Sequence, residues 1–263
     1  MQLSPLDQEM LVLLREYAAP ALLGMARITA CYAWLPYLSA GTLVSKLSRA
    51  VIALVTVVGL WPVLGSAAPP TDLVGTALAA AMEAAIGMAI GLTVSLPFHI
   101  FHAVGVIIDN QRGASISSTM DPISGIEATE TGNLLQQFSV VVFLMGGGLV
   151  AMLEVIQASY QLLPMGARLL PSIDALHAFM GTLVSAAVRM ALPVLLLLLL
   201  VEILLGVLSR FAQQMNAFSV SLAVKSFIAF LAMLLYLIPL LAEGVPQLWD
   251  AQDGLQLLRP TAP

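Results

Sequence analysis

The chain is dominated by long apolar stretches separated by short breaks that contain polar residues, proline or glycine. About six stretches are long enough for a helix to cross a bilayer, which takes roughly 20 residues. They run near residues 9–35, 46–64, 72–107, 133–162, 175–209 and 216–243. None alternates with period two, and a backbone in lipid must form its own hydrogen bonds, so helices are predicted rather than strands. The expected fold class is all-α, a polytopic integral membrane protein.

Composition supports a membrane protein and excludes some partners. Hydrophobic residues make up 60% of the 263 residues and charged residues 10%, whereas about a quarter of a soluble domain is charged. The net charge of −5 leaves no basic face, so nucleic acid is not expected as a partner.

The third apolar stretch is longer than a bilayer requires and contains Pro97, so we expect a kinked helix. Small and polar residues recur along it at every fourth position, which on a helix forms one slowly winding stripe. Its members are Glu83, Gly87, Gly91, Ser95 and His99. Such a stripe lets another backbone approach closely. Two alternatives stay open: packing against another subunit, or packing within this chain.

The stretch 107–125, "IIDNQRGASISSTMDPISG", breaks the apolar pattern most strongly. A charged residue at the centre of a membrane helix costs about 2.5–3.5 kcal/mol. Between 109 and 130 the chain has five of them, Asp109, Arg112, Asp121, Glu127 and Glu130. Exposure to lipid is therefore excluded, and the stretch belongs either at the aqueous surface or in a protein-lined, water-accessible interior.

The amino-acid sequence of this region resembles that of a known family. "GVIIDNQRGASISSTMDPISGIEAT" (105–129) closely resembles the signature loop of the SctT family, also called SpaR, YscT, HrcT or EscT, of the type III secretion export apparatus. "SYQLLPMG" (159–166) and "LSRFAQQMNAFSVSLAVKS" (208–226) match in order and spacing, so the resemblance covers nearly the whole chain. The related flagellar FliR proteins usually lack the "DNQRG" motif. Its presence in this chain favours a virulence-type injectisome over a flagellum.

The resemblance implies a core subunit of a hetero-oligomeric export gate with long kinked helices and helical hairpins. The gate would lie in the bacterial inner (cytoplasmic) membrane, partly raised toward the periplasm. Implied partners are SctR-like and SctS-like gate subunits, an SctU-like switch protein, inner rod or needle components, and secreted unfolded proteins. Residues 1–172, which include the pore loop 107–125, look like an SctR-type subunit, and residues 173–263 look like an SctS-type hairpin.

The resemblance also assigns roles to residues. In the family the signature loop projects into the pore and helps to plug the closed channel. The plug residues here would be Asp109, Asn110, Gln111, Arg112, Gly113, Ala114, Ser115, Ile116, Ser117, Ser118, Thr119, Met120, Asp121 and Pro122. We expect Ile116 and Met120 to form the apolar seal, and Arg112 to pair with Asp109 or Asp121. A second polar turn would line the cytoplasmic mouth with Arg210, Gln213, Gln214 and Asn216.

Other functions are weaker alternatives. A secondary transporter would use Glu83, Glu154 and Glu202 as coupling sites, but the sequence has no two repeated halves with corresponding broken helices. A membrane scaffold without a role in the pore would require the 107–125 loop to be dispensable. The sequence has no HExxH or GxSxG motif, and no further metal-ligating residues accompany its histidines at the spacing of a metal site. We therefore expect no enzymatic activity, metal or cofactor.

Overall fold

The computed structural model describes residues 18–38, 45–61, 73–113, 129–165, 173–211 and 217–248. Within these ranges the chain is helical and has no strand, which confirms the all-α fold class. The helices are α1 (Ala19–Tyr32), α2 (Lys46–Gly59), α3 (Leu73–Arg112), α4 (Glu130–Met145), α5 (Gly148–Leu162), α6 (Ile173–Phe211), α7 (Ala217–Ala232), a π-helical turn (Met233–Leu237) and α8 (Ile238–Leu248).

Not every predicted apolar stretch corresponds to a described helix that is long and apolar enough to cross a membrane. The described residues contain three, Val74–Arg112, Leu176–Phe211 and Val220–Val245, or four if the broken pair α4 and α5 counts as one. The described parts of α1 and α2 have 14 residues each. At 1.5 Å per residue this is about 21 Å, short of a hydrocarbon layer of about 30 Å. The stretches 9–35 and 46–64 extend beyond the described residues, so their crossing of the membrane stays a prediction, and the protein is a polytopic membrane protein.

Helix α3 is continuous through Pro97 and extends to Arg112, five residues beyond the predicted end at 107. The kink at Pro97 stays a prediction. Helices α4 and α5, in contrast, divide a stretch that was predicted as one segment. The division falls at Gly146 and Gly147, and Gly147 has a φ of 80°, a left-handed conformation that glycine adopts without a steric penalty.

The chain forms two compact units, which interleave along the sequence. The first comprises Met1–Ser95, Gly147–Ala178 and Trp249–Pro263. Within it, α1 lies against α2, where the Tyr32 and Thr56 hydroxyl groups are 2.7 Å apart. The same unit contains α5 and the first part of α3. The division at residue 172 into SctR-like and SctS-like parts stays a prediction.

The second unit comprises Leu96–Gly146 and Phe179–Leu248. Its part of α3 packs on α4 through the rings of Phe98 and Phe143, whose centroids are 5.2 Å apart in an edge-to-face arrangement. Helix α8 lies against the same part of α3, because Gly244 is next to the Phe101 ring. Helices α6 and α7 are joined by an ion pair between Glu202 and Lys225.

Candidate functional site

One buried carboxylate joins the two ends of the polar stretch. Asp109 lies in the last turn of α3 and is only 2% exposed. Its Oδ2 accepts a hydrogen bond of 3.0 Å from the backbone N–H of Thr131, at the start of α4. The first N–H groups of a helix have no partner within the helix, and the helix dipole favours an anion at this end. Asp109 therefore caps α4 from a different helix.

Arg112 completes this arrangement. Its Nε donates to Oδ1 of Asp109 at 2.8 Å, and its Nη2 is also 2.8 Å from that oxygen. Its guanidinium carbon lies 5.4 Å from the centroid of the Phe230 ring on α7, within the range of a cation–π contact. The expected pairing of Arg112 with Asp109 is thus confirmed, whereas Asp121 lies outside the described residues.

Two glycines allow α3 and α4 to approach closely at this point. A Cβ atom at Gly105 would overlap the backbone of Thr131 and Gly132. A Cβ atom at Gly132 would lie 3.1 Å from the carbonyl oxygen of His102. No side chain fits between these backbones, so the end of α3 and the start of α4 are held in direct contact. We call Gly105, Asp109, Arg112, Thr131 and Gly132 the loop base.

The predicted pore loop needs one correction. Its first residues, Asp109, Asn110, Gln111 and Arg112, are helical and belong to α3. The helix tolerates these charges because Asp109 and Arg112 neutralise each other. Gly113 ends the helix with a φ of 82°. The remaining predicted plug residues lie outside the described residues: Ala114, Ser115, Ile116, Ser117, Ser118, Thr119, Met120, Asp121 and Pro122.

A second polar cluster surrounds Arg27, whose role sequence patterns did not reveal. Arg27 is fully buried, and its Nε lies 2.7 Å from Oε2 of Glu83. Its Nη2 donates to the carbonyl oxygen of Leu163 at 3.0 Å, and its Nη1 to the hydroxyl of Ser159 at 3.2 Å. The guanidinium carbon lies 3.9 Å from the ring centroid of Tyr160. Because Leu163 caps the C-terminus of α5, Arg27 ties together α1, α3 and α5.

Part of the small-residue stripe of α3 contacts another helix of the same chain. A Cβ atom at Gly87 would overlap the Arg27 carbonyl, and one at Gly91 would lie 2.6 Å from the carbonyl oxygen of Cys31. Glu83 and Ser95 are fully buried. Gly87 and Gly91 therefore pack against α1 of the same chain, and Glu83 contacts α1 through its ion pair with Arg27, whereas a role of the stripe in subunit packing stays a prediction. Sequence alone left both alternatives open because close helix packing needs the same residues in either case.

The other predicted sites are only partly described. Arg210 is exposed in the last turn of α6, whereas Gln213, Gln214 and Asn216 lie outside the described residues. Of the three transporter candidates, Glu83 pairs with Arg27, Glu202 pairs with Lys225 at 3.0 Å, and Glu154 is exposed. In the part of the chain that the structure describes, no three potential metal ligands cluster.

Comparisons with known proteins agree with the resemblance seen in the sequence. Residues 18–251 match a family described as bacterial export proteins, family 1. The surface presentation of antigens protein SpaR of Salmonella typhimurium is 44% identical over 237 residues, 90% of each chain. The Yop proteins translocation protein T of Yersinia pestis is 29% identical over 90% of this chain and 92% of its own. The flagellar biosynthetic protein FliR of Escherichia coli is 25% identical over 60% of this chain and 61% of its own.

Proposed function

Because the chain belongs to the bacterial export proteins, family 1, we propose that it is a core subunit of the export gate of a type III secretion system, an injectisome. In this proposal the gate lies in the inner membrane and passes unfolded proteins, and the segment that follows α3 plugs the closed channel. The injectisome is favoured over the flagellum because the SpaR match covers 90% of this chain at 44% identity, and the FliR match only 60% at 25%.

The geometry of the loop base is the main support for assigning the following segment as a plug. A plug must yield to a passing polypeptide and then return to the same place. The buried Asp109 carboxylate and the contact between Gly105 and Gly132 hold the two ends of the 114–128 segment together. In this proposal a passing polypeptide displaces the segment while its attachment points stay fixed.

The composition of the segment suits this role. Its small residues provide weak contacts, which an unfolded chain displaces more easily than packed helices. Ile116 and Met120 supply apolar groups for the seal, and the unbranched Met120 side chain adapts to an irregular opening. The charges of Asp121 and Glu127 would each cost about 2.5–3.5 kcal/mol at the centre of a membrane helix. A water-accessible channel lined by protein avoids that cost.

The proposed partners are SctR-like and SctS-like gate subunits, an SctU-like switch protein, inner rod or needle components, and the secreted proteins. Many large apolar side chains are exposed on α6 and α7. This exposure supports the proposal that lipid or other subunits cover these two helices. Examples are Leu196, Leu200, Ile203, Leu204, Val207 and Phe227. Arg210 at the end of α6 is placed at the cytoplasmic mouth in this assignment, together with Gln213, Gln214 and Asn216.

Replacement of Asp109 tests the proposed function. In a strain whose only copy carries Asp109→Ala, the N-terminus of α4 and Arg112 both lose their partner. We expect the gate to assemble and to leak ions, with secretion altered. Membrane conductance, secreted protein and co-purification of gate subunits are the measurements. Glu154→Ala is the matched control, because it removes a carboxylate that is exposed on α5. An assembled Asp109→Ala gate with the conductance and secretion of the wild type would contradict the proposal.

A further inference from the structure

The aromatic ring of Phe230 joins α7 to the loop base. The guanidinium of Arg112 lies over this ring, with 5.4 Å between its carbon and the ring centroid. Phe230 is 49% exposed, whereas the Arg112 side chain is 13% exposed. A guanidinium at this distance is attracted by the negative face of an aromatic ring. The loop base, which is built from α3 and α4, therefore has a third attachment on α7.

Arg112 needs this attachment because its position on α3 favours another arrangement. It is the last residue of the candidate membrane span Val74–Arg112, and a long cationic side chain at the end of a membrane helix tends to extend toward water. In that arrangement Arg112 would leave Oδ1 of Asp109, which is now 2.8 Å from both its Nε and its Nη2. Attraction to the Phe230 ring stabilises the observed arrangement against this alternative.

The position of Arg112 affects the start of α4 through Asp109. The two carboxylate oxygens of Asp109 have separate partners, because Oδ1 accepts from Arg112 and Oδ2 accepts the Thr131 N–H at 3.0 Å. Asp109 is 2% exposed, and a buried carboxylate without a counter-ion is costly. Withdrawal of Arg112 therefore favours arrangements in which Asp109 leaves this place and the N-terminus of α4 loses its cap.

The chain fixes α7 on both sides of Phe230. Before it, Lys225 on α7 pairs with Glu202 on α6 at 3.0 Å. After it, Gly244 on α8 lies next to the Phe101 ring on α3, three turns before Arg112. The ring therefore meets Arg112 from a helix whose place is defined by α6 and, through α8, by α3 itself.

We propose that Phe230 is a positioning residue of the loop base, whose ring holds the Arg112 guanidinium on Asp109. A displacement of α7 would then loosen the junction of α3 and α4. Helix α7 begins at Ala217, directly after the polar turn assigned to the cytoplasmic mouth, so this contact connects the mouth with the base of the plug. The connection to gating rests on the proposed function, whereas the contact itself can be tested separately.

Hydrogen exchange at the start of α4 tests this role in the assembled gate. Phe230→Leu removes the ring, whereas Phe230→trifluorophenylalanine keeps its shape and weakens the negative charge of its face. We expect the Thr131 N–H to exchange at least about twofold faster in both variants, because Asp109 is held less firmly. Phe230→Tyr keeps an aromatic face and should match the wild type. Phe138→Leu on α4 is the control, because Phe138 has a similar exposure of 44%, and it should also match the wild type.

A ring that only fills space would give a different result. If Phe230→Leu exchanged faster and Phe230→trifluorophenylalanine exchanged as the wild type does, the inference would be overturned. Unchanged exchange in both variants would overturn it as well. In an Arg112→Met background, Phe230→Leu should have no further effect, because the two residues act as one unit. A full additional effect there would show that the ring does not act through Arg112.

Ion leak, measured on the same strains, separates this inference from the proposed function. Faster exchange together with a leak of ions supports both. Faster exchange without a leak supports the role of Phe230 in the loop base and contradicts the plug. Unchanged exchange in the Phe230 variants, together with a leak in Asp109→Ala, overturns the role of Phe230 and leaves the proposed function standing.

Discussion

Charged residues in this chain are few, and six of the described ones form three ion pairs. Asp109 pairs with Arg112, Arg27 with Glu83, and Glu202 with Lys225. The first pair could be predicted from the sequence because its members are three residues apart in one polar stretch. The environment of Arg27 could not, because Glu83 lies 56 residues away and Ser159 132 residues away. No local pattern connects residues at such distances.

Removal of Glu83 should destabilise the first unit strongly. Glu83→Ala leaves the fully buried Arg27 without its counter-ion, and breaking a buried ion pair on one side costs about 3–5 kcal/mol. We expect the free energy of unfolding in detergent to fall by about this amount. Chemical unfolding of the purified chain, followed by circular dichroism, measures the change.

The double variant Arg27→Met/Glu83→Leu is the control for this experiment. It removes both charges and keeps apolar volume, so it should be far less destabilised than Glu83→Ala. If Glu83→Ala were as stable as the wild type, the Arg27 cluster would not hold α1, α3 and α5 together as described.

The helices show which elements a sequence defines well. The predicted ends of α6, 175 and 209, lie within two residues of the observed Ile173 and Phe211. The end of α3 was predicted too early, because charges usually mark the end of a membrane helix and the pairing of Asp109 with Arg112 removes that constraint. The stretch 133–162 was predicted as one segment because the apolar composition continues across Gly146 and Gly147, where the structure divides it into α4 and α5.

The glycine at the contact between α3 and α4 allows a prediction about helix packing. Gly105→Ala places a Cβ atom into the backbone of α4, and overpacking of this kind costs about 1–3 kcal/mol. Gly181→Ala on α6 is the matched control, because a Cβ atom there meets no neighbour within 4 Å. Alanine exceeds glycine in helix propensity by about 1 kcal/mol, so this control should be equally stable or more stable than the wild type.

The measurement is the free energy of unfolding of both variants in the same detergent. We expect Gly105→Ala to fall below the wild type and Gly181→Ala not to. If Gly105→Ala proved as stable as Gly181→Ala, then α3 and α4 would not be in direct backbone contact at the loop base.

For the whole molecule, apolar composition together with the absence of period-two alternation predicted an all-α membrane protein, and three stretches of specific residues predicted its family. The sequence identified six stretches of sufficient apolar length, but length alone does not distinguish a helix that crosses the membrane from one that packs within protein. It also left open where the glycine stripe of α3 packs. That depends on α1, which approaches this stripe only in the folded chain.

The central claim is that the segment between α3 and α4 closes an export channel. The most direct test is a strain whose chromosomal copy lacks Ala114 to Thr119, with assembly checked by co-purification and with membrane ion leak and secretion measured together. The account predicts an assembled gate that leaks ions. An assembled gate with neither leak nor any change in secretion would contradict it, and the protein would then be a scaffold without a role in the pore.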